Sequence, residues 1–488
     1  MAMILNSALE FSDAGWRFDN TYARLPSTLH TRVEPSTVRE PALLVFNRAL
    51  AESMGLDAQC LESEEGAAIF SGNAIPAGAE PIAQAYAGHQ FGHFNMLGDG
   101  RAILLGEHLG PDGARWDVQL KGAGRTAYSR RGDGRAALGP MLREYIISEA
   151  MQALGIPTTR SLAVTGTGEV VHREEELPGA VLVRIAASHI RVGTFEYAAM
   201  NGNVDSLKSL AEYTIRRHYP SAAAASNPFC ALLDGVIERQ ASLISKWMLV
   251  GFIHGVMNTD NMALSGESID YGPCAFMDAY DSATVFSSID RNGRYAYSNQ
   301  PGIAHWNLAR LAEALLPLLD SDENTAVEMA KESLGIFPKS FHRHWVSGMR
   351  AKLGLFNEEA EDVSLIEALL DGMRRNKADY TNTFRNLDFN LTSSVDAAWH
   401  GDWKARLARQ DRSAADVRQL MQRHNPAVIP RNHKVEEALD SAVGNGNFGV
   451  LNRLLDALAN PFVEGAEKDG YREAAPAGSE GYRTFCGT

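Results

Sequence analysis

Residues 251–272 read GFIHGVMNTDNMALSGESIDYG, and the other motifs of the chain are organised around this stretch. An apolar turn leads into His254, and the triplet Asp270-Tyr-Gly closes the stretch. Between them, Asp260 and Asn261 offer carboxylate and amide oxygens, which are hard ligands of the kind that Mg²⁺ prefers. The stretch therefore predicts a metal-binding loop.

The spacing of these residues matches the catalytic loop of protein kinases, in which a His-x-Asp is followed by a metal-binding Asn and then by Asp-Phe-Gly. Asn261 follows His254 by seven residues, as the kinase Asn does, and Asp270 begins the Asp-Tyr-Gly. The position of the kinase base holds Val256, which cannot accept a proton. Asp260 is the nearest carboxylate that could replace that base.

Composition places the chain among globular proteins of more than one lobe. It has 488 residues, 45% hydrophobic and 22% charged, with a net charge of -14. The negative charge argues against a phosphate-backbone surface, so we expect no nucleic-acid partner. No apolar run approaches the ~20 residues that span a bilayer, so we expect no membrane partner.

The N-terminus and the cysteines favour a cytoplasmic protein. The first residues, MAMILNSALEFSDAGW, have no basic region ahead of an apolar one, which argues against a leader peptide. The four cysteines are Cys60, Cys230, Cys274 and Cys486, and no pair has CxxC spacing. Free thiols are expected, with Cys486 on an exposed C-terminal tail.

The first 110 residues combine one helix with a glycine-rich stretch. Apolar spacing predicts a helix over Pro41–Met54 that ends at Gly55. Further on, Gly98-Asp-Gly100-Arg101 precedes an apolar strand. Glycine lets a backbone approach a ligand closely, and Arg101 could hold a phosphate; a plain turn is the alternative.

A strand over Trp116–Lys121 ends directly before Gly122-Ala-Gly, and Asp133-Gly134 lies in the loop that opens a helix from about Gly139 to Leu154. In kinase-like folds, a strand lysine at this place reaches phosphate and pairs with a helix glutamate, which here is Glu144. The alternative for each is a solvated surface residue.

Strands over Leu162–Val164, Glu169–His172 and Val181–Ile185 complete an antiparallel sheet. Arg184 and Arg191 flank the end of the last one and suit phosphate contacts, with surface arginines as the alternative.

The rest of the chain is predicted to be helical. Amphipathic patterns cover Leu207–Tyr219 and Phe229–Val250, and the second leads into the opening stretch. A polar segment, Pro273–Gly302, occupies the place of a kinase activation loop. We therefore expect an α+β, protein-kinase-like two-lobed fold: an N-lobe at 1–200, a helical C-lobe at 201–350 and a helical C-terminal extension at 351–488.

The whole chain resembles the selenoprotein O family, which includes bacterial YdiU-type proteins. The motifs that carry the resemblance are Tyr86-Ala-Gly-His-Gln-Phe-Gly, Leu97-Gly-Asp-Gly-Arg, Leu120-Lys-Gly-Ala-Gly, Arg131-Gly-Asp-Gly-Arg, His254-Gly-Val-Met-Asn-Thr-Asp-Asn-Met262, Asp270-Tyr-Gly-Pro and His305-Trp-Asn-Leu.

The resemblance implies a kinase-like enzyme that binds ATP in a reversed orientation and transfers AMP to Ser, Thr or Tyr hydroxyls of other proteins. It implies that Asp260 is the proton acceptor, and that Asn261 and Asp270 bind Mg²⁺ or Mn²⁺. The resemblance also implies that Lys121 and Glu144 are the strand-lysine and helix-glutamate ion pair of kinase-like folds. The nucleotide contacts become Gly98, Gly100, Arg101, Lys121, Asp133, Gly134, Arg184, Arg191 and Asp270.

The resemblance also implies a C-terminal cysteine, matched by Cys486, that in several relatives pairs with a cysteine of the activation-type loop. Here the aligned loop position is Phe286, so Cys274 is the alternative partner. We expect a monomer. UMP transfer from UTP, a γ-phosphate kinase and a non-catalytic pseudokinase scaffold remain as alternatives.

Overall fold

The computed structural model describes residues 14–201, 203–388, 396–476 and 481–485, which form two compact units. The first unit comprises 14–85, Gly98–Met141 and Ser161–Ala187. The second comprises Tyr86–Leu97, Leu142–Arg160 and the described residues from Ser188 onward. Cys486 lies outside the described residues. The three-part division at 200 and 350 stays a prediction.

The strands belong almost entirely to the first half of the chain. They are β1 His30–Arg32, β2 Ala42–Phe46, β3 Ile82–Gln84, β4 Ala87–Gln90, β5 His93–Met96, β6 Ala102–Leu109, β7 Arg115–Lys121, β8 Ala136–Ala137, β9 Arg160–His172, β10 Glu176–Ala186, β11 Phe252–Ile253 and β12 Ala275–Phe276.

Helices dominate from residue 192 onward. The helices are α1 Arg48–Ser53, α2 Ala58–Leu61, α3 Glu64–Ser71, α4 Leu138–Ala153, α5 Val192–Met200, α6 Val204–His218, α7 Pro228–Leu249, α8 Gln300–Leu319, α9 Glu323–Leu334, α10 Ile336–Lys352, α11 Asp362–Arg375, α12 Tyr380–Arg385, α13 Ala397–Leu407, α14 Ala414–His424, α15 Asn432–Asn445, α16 Gly449–Leu458 and α17 Asp469–Arg472. The expected α+β class and helical C-terminal region are confirmed.

The first unit is built on one sheet of order β1-β3-β6-β7-β10-β9-β2, with β8 paired to β10. Its buried core includes Ile103, Leu105, Val118 and Val183, which point away from the Lys121 face because side chains alternate along a strand. The expected strand ending at Lys121 is confirmed.

The predicted helix over Pro41–Met54 is wrong in its first half. Ala42–Phe46 forms the edge strand β2, which pairs antiparallel with β9. Helix α1 begins only after Asn47, whose side chain caps the helix by accepting from the N–H of Leu50 at 3.1 Å. Apolar spacing alone did not distinguish the strand from the helix, and the pairing with β9 decided between them.

The two strands expected over Leu162–Val164 and Glu169–His172 are one continuous strand, β9. Of the two glycines between them, Gly168 takes a φ of +66° without turning the chain back. The helices expected near Gly139–Leu154, Leu207–Tyr219 and Phe229–Val250 are confirmed as α4, α6 and α7.

The second unit packs its helices around a core that includes Ile253, Met277, Tyr380 and Trp403. Helix α7 ends at Leu249, and β11 and β12 pair antiparallel just beyond it. These two short strands hold the ends of the stretch that contains His254 and Asp270.

Candidate active site

The turn Thr259–Asn261 carries the residues expected to perform chemistry, and a hairpin packs on it. The hairpin is formed by β4 and β5, whose turn puts Phe91 and Gly92 at positive φ. The N–H of His89 donates to Oγ1 of Thr259 at 2.7 Å, and the N–H of Phe91 donates to Oδ1 of Asn258 at 3.1 Å. The hairpin therefore holds the side chains of the two residues that precede Asp260.

A buried carboxylate completes this support. One oxygen of Glu196 accepts from Thr259 Oγ1, and the other contacts Nδ1 of His89. The side chain of Glu196 is 5% exposed. No sequence pattern indicates Glu196, although its partner His89 belongs to the Tyr86–Gly92 motif.

Asp260 is buried, and its Oδ1 has no hydrogen-bond partner among the described residues. Burial raises the pKa of this carboxyl to about 7, Arg191 opposes the rise, and the nearby charges of Asp270 and Glu196 add to it. A carboxylate with that pKa can accept a proton at neutral pH.

Arg191, the residue that precedes α5, supports the same turn. The backbone N–H of Val192 donates to the oxygen of Met262, and the N–H of Leu264 donates to the oxygen of Ile190. The Arg191 guanidinium donates to the backbone oxygen of Asp260 at 3.1 Å. The guanidinium also lies 4.4 Å from the centre of the Tyr86 ring. The structure therefore places Arg191 beside Asp260, where the guanidinium holds the backbone of that residue.

Asn261 is oriented by its own loop. Its Nδ2 donates to the backbone oxygen of Val256 at 3.0 Å, which leaves Oδ1 buried and without a hydrogen-bond partner among the described residues. An amide oxygen held in this way suits a hard cation, because the amide is already oriented and its oxygen is free to bind.

Asp270 is held in the left-handed region, with a φ of +64°. This conformation costs roughly 1 kcal/mol for a residue with a Cβ, although Asp tolerates it better than most. The N–H of Gly272 donates to the Asp270 backbone oxygen at 2.9 Å, which closes the turn. Strain kept at a motif Asp is common at functional sites.

His254 ties the two ends of the stretch together. Its Nε2 donates to the backbone oxygen of Ile269 at 2.9 Å, and its ring stacks with those of Trp247 and Tyr271. Complete burial lowers the pKa of His254, so the ring is neutral and serves as a scaffold.

The described residues contain no group of three or more His, Cys, Asp or Glu side chains arranged to hold a metal ion.

In the first unit, Lys121 lies on the same face of the sheet as Gln119 and Arg184. Arg184 of β10 lies opposite Gln119 of β7 in their antiparallel pairing, and its guanidinium donates to the Gln119 side chain at 3.3 Å. Gln119 in turn donates to Asp99 at 3.3 Å. Lys121 and Arg184 are both buried, so this face offers two cations in one row of polar side chains.

Gly98 and Gly100 are required by packing. A Cβ on Gly98 would stand 2.3 Å from the Tyr128 ring, and one on Gly100 would stand 2.9 Å from the Tyr128 backbone oxygen. The backbone oxygen of Arg101 accepts from Gly122 at 2.7 Å, so this loop is joined to the end of the Lys121 strand.

Asp133 and Gly134 lie in the loop after β7. Arg173 donates to both carboxylate oxygens of Asp133, at 2.9 and 3.1 Å, and this lowers the pKa of Asp133. Gly134 lies against Gly124, where a Cβ would collide with the backbone at 2.1 Å. Arg173 is a second residue that the sequence did not indicate.

Glu144 is 1% exposed on α4, so the alternative of a solvated surface residue is wrong. Lys121 and Glu144 belong to different units, and their ion pair stays a prediction.

Cys274 is a buried free thiol, and burial raises its pKa to about 12. Its pairing with Cys486 stays untested, because Cys486 lies outside the described residues.

Among the described residues, no helix is both long and apolar enough to cross a membrane.

Known proteins resemble the chain over nearly its full length. The family model described as protein adenylyltransferase SelO matches residues 14–459. A protein nucleotidyltransferase YdiU of Bacillus cytotoxicus is 60% identical over 483 residues, 98% of each chain. Proteins of the same name from Geobacillus kaustophilus and Syntrophotalea carbinolica are each 59% identical, covering 98% and 97% of this chain and 100% and 98% of their own. The chain belongs to the SelO family of protein adenylyltransferases.

Proposed function

We propose that the protein transfers AMP from ATP to the side-chain hydroxyls of Ser, Thr or Tyr in other proteins, with UMP from UTP as a second possible transfer. The observation that carries this proposal is the Oδ1 atom of Asp260. It is buried, it has no hydrogen-bond partner among the described residues, and it belongs to a carboxyl group whose pKa is raised. The family and the names of the relatives support the reaction class.

In the proposed reaction, the acceptor hydroxyl oxygen forms a bond to the α-phosphorus of ATP. The bond from that phosphorus to the bridging oxygen of the β-phosphate breaks, and pyrophosphate leaves. Asp260 accepts the hydroxyl proton, which is typically worth roughly 10²–10⁴ in rate. Val256 stands where a kinase has its base, so the usual γ-phosphate mechanism lacks that base.

Asn261 and Asp270 are the proposed ligands of Mg²⁺, with Mn²⁺ as an alternative. The orphaned Oδ1 of Asn261 fits such an ion. When bound there, the ion neutralises phosphate charge and polarises the reacting phosphate.

The cations of the two units have separate proposed roles. Lys121, paired with Glu144, and Arg184 stabilise the non-bridging oxygens and the pyrophosphate. Arg191 adds charge near Asp260. The remaining proposed nucleotide contacts are made by Gly98, Gly100, Arg101, Asp133, Gly134 and Asp270.

ATP labelled at either the α- or the γ-phosphate tests the proposal on purified protein. We expect protein acceptors to be labelled by α-labelled ATP and not by γ-labelled ATP. Transfer of the α-label should be lost in Asp260→Asn and in Asp270→Ala. Asp281→Asn, an exposed carboxylate of the following segment, is the control and should retain transfer. Transfer of γ-label alone would identify a kinase. The absence of both labels, in native protein and variants alike, would identify a scaffold.

We also propose that the protein acts as a monomer in the cytoplasm. The free thiols of Cys60, Cys230 and Cys274 are compatible with a reducing compartment. Sedimentation of the purified protein and fractionation of cells test these two points.

A further inference from the structure

Two of the sequence motifs, Tyr86–Gly92 and His305-Trp-Asn-Leu, supply no group that reacts or binds nucleotide in the proposed reaction, and they meet around Trp306. The His89 ring lies 5.2 Å from both the Trp306 ring and the Phe94 ring. The guanidinium groups of Arg294 and Arg310 lie 4.9 and 4.8 Å from the centre of the Trp306 ring. We call Phe94, Arg294 and Trp306 the acceptor surface.

Arg294 has a positive charge that no carboxylate of the described residues neutralises. Arg310, by contrast, pairs with Glu313 at 2.6 Å. The Nε of Arg294 is buried without a hydrogen-bond partner among the described residues. Because this Nε is closed to solvent, as is that of Arg310, an anionic ligand would bind the terminal nitrogens of the Arg294 guanidinium, whose charge has no carboxylate partner among the described residues.

The backbone of Arg294 is fixed. Asp290 accepts from the N–H of Arg294 at 2.9 Å and from the N–H of Tyr295 at 2.8 Å. The guanidinium lies over the rings of Tyr295 and Trp306. Since stacking already limits the motion of the side chain, a ligand would bind to it with little further loss of entropy.

Arg294 is directly connected to the turn that carries Asp260. The hydroxyl of the next residue, Tyr295, donates to Oδ1 of Asn258 at 2.6 Å. The same oxygen accepts from the N–H of Phe91, whose ring lies 5.1 Å from the Tyr295 ring. The segment that carries Arg294 is therefore tied, through the buried Tyr295 hydroxyl, to the turn of the proposed base.

The surface also has exposed apolar area. Phe94 is 37% exposed, and Met96 on the same strand is 46% exposed. Aromatic residues next to an arginine are the composition that dominates binding energy at protein interfaces. An anionic protein segment fits this combination better than a purely apolar one.

We propose that the acceptor surface binds an Asp or Glu carboxylate of the protein to be modified, close in sequence to the modified hydroxyl, through the guanidinium of Arg294. The proposal deepens the proposed function, on which it rests, by naming the chemistry of the acceptor. No covalent step is added.

The test uses two fluorescein-labelled peptides with one central Tyr, flanked by Asp and Glu in one and by Lys and Arg in the other. Binding is followed by fluorescence anisotropy, and AMP transfer by α-labelled ATP. We expect the acidic peptide to bind the native protein about tenfold more tightly than the basic one, the range of one charge-assisted contact. Arg294→Glu should reverse that order, and Arg294→Lys should retain part of it.

Arg291→Glu is the matched control, since Arg291 is exposed and lies three residues earlier in the same segment. It should keep the native order of the peptides. An unchanged order in Arg294→Glu, or a rise in the KM for ATP with peptide binding unaltered, would overturn the inference. Binding as expected without α-label transfer would instead contradict the proposed function and leave the acceptor surface standing.

Discussion

Gly88 lies against the carboxylate of Asp260, so that a Cβ on Gly88 would stand 2.3 Å from Oδ1. Gly88→Ala should therefore displace the proposed base. We expect kcat for AMP transfer to fall by roughly ten- to a hundredfold, within the range attributed to a general base, with little change in the KM for ATP. Steady-state kinetics with α-labelled ATP measure both values.

Gly302→Ala is the control for this substitution. Gly302 lies in α8, and a Cβ there would meet nothing within 4 Å. It should have native kinetics. If Gly88→Ala had native kinetics as well, Asp260 would not be held by the hairpin.

Asn261 gives a prediction on metal affinity, because its Nδ2 is already donated to Val256 and its Oδ1 is left for a ligand. Asn261→Ala should raise the Mn²⁺ concentration that half-saturates the protein in the presence of ATP by about tenfold or more, as loss of one ligand does. Electron paramagnetic resonance of Mn²⁺ reports this without any turnover. Asn299 has an exposed side-chain amide, and Asn299→Ala should leave the Mn²⁺ affinity unchanged. If the two variants had equal Mn²⁺ affinity, Asn261 would not be a metal ligand.

The sequence predicted the local framework of the site because that framework depends on short-range spacing. The strand that ends at Lys121, helix α4 and the loop from His254 to Asp270 were all indicated by residues within one segment. The burial of Asp260 was not indicated. It depends on Gly88, which is far away in the chain, and no periodicity relates the two.

The hairpin of β4 and β5 was missed for a similar reason. Its turn needs positive φ at both Phe91 and Gly92, and an aromatic residue rarely adopts that conformation. The contacts of Phe91 with Asn258 and Tyr295 stabilise it there. Tertiary contacts therefore determine a turn that sequence preferences alone argue against.

Lys352 gives a prediction on pH. Burial lowers its pKa to about 7, and its Nζ lies 4.3 Å from the centre of the Phe384 ring and 5.5 Å from that of Tyr380. Above pH 7 the unfolded chain keeps this proton and the folded chain loses it, so stability should rise with pH. Between pH 7 and pH 9 this group alone should add about 2 kcal/mol to the free energy of unfolding.

Lys352→Met isolates that contribution, because methionine fills a similar volume without a charge. Urea unfolding of both proteins at pH 7 and pH 9 gives the difference. We expect the native protein to gain more stability over this interval than Lys352→Met does. An equal pH dependence in the two would show that Lys352 is charged in the folded state.

Arg143, next to Glu144 on α4, is held by the C-terminal segment. Its guanidinium contacts Glu436 at 2.5 Å and donates to the Tyr482 hydroxyl at 3.3 Å, and that hydroxyl also donates to Glu436. Glu436→Gln removes the charge that balances a guanidinium whose side chain is only 14% exposed. We expect unfolding to become easier by about 1–3 kcal/mol, because a largely buried cation then lacks its counterion.

The adjacent residue provides the comparison. Glu437 is exposed, and Lys434, three residues earlier on the same helix, is its one ion-pair partner among the described residues. Glu437→Gln should change the free energy of unfolding by less than about 0.5 kcal/mol, as exposed helix pairs do. Urea titrations of the two variants measure the contrast directly. If both lost the same amount, the charge of Arg143 would be balanced elsewhere, and the C-terminal segment would not stabilise the helix that carries Glu144.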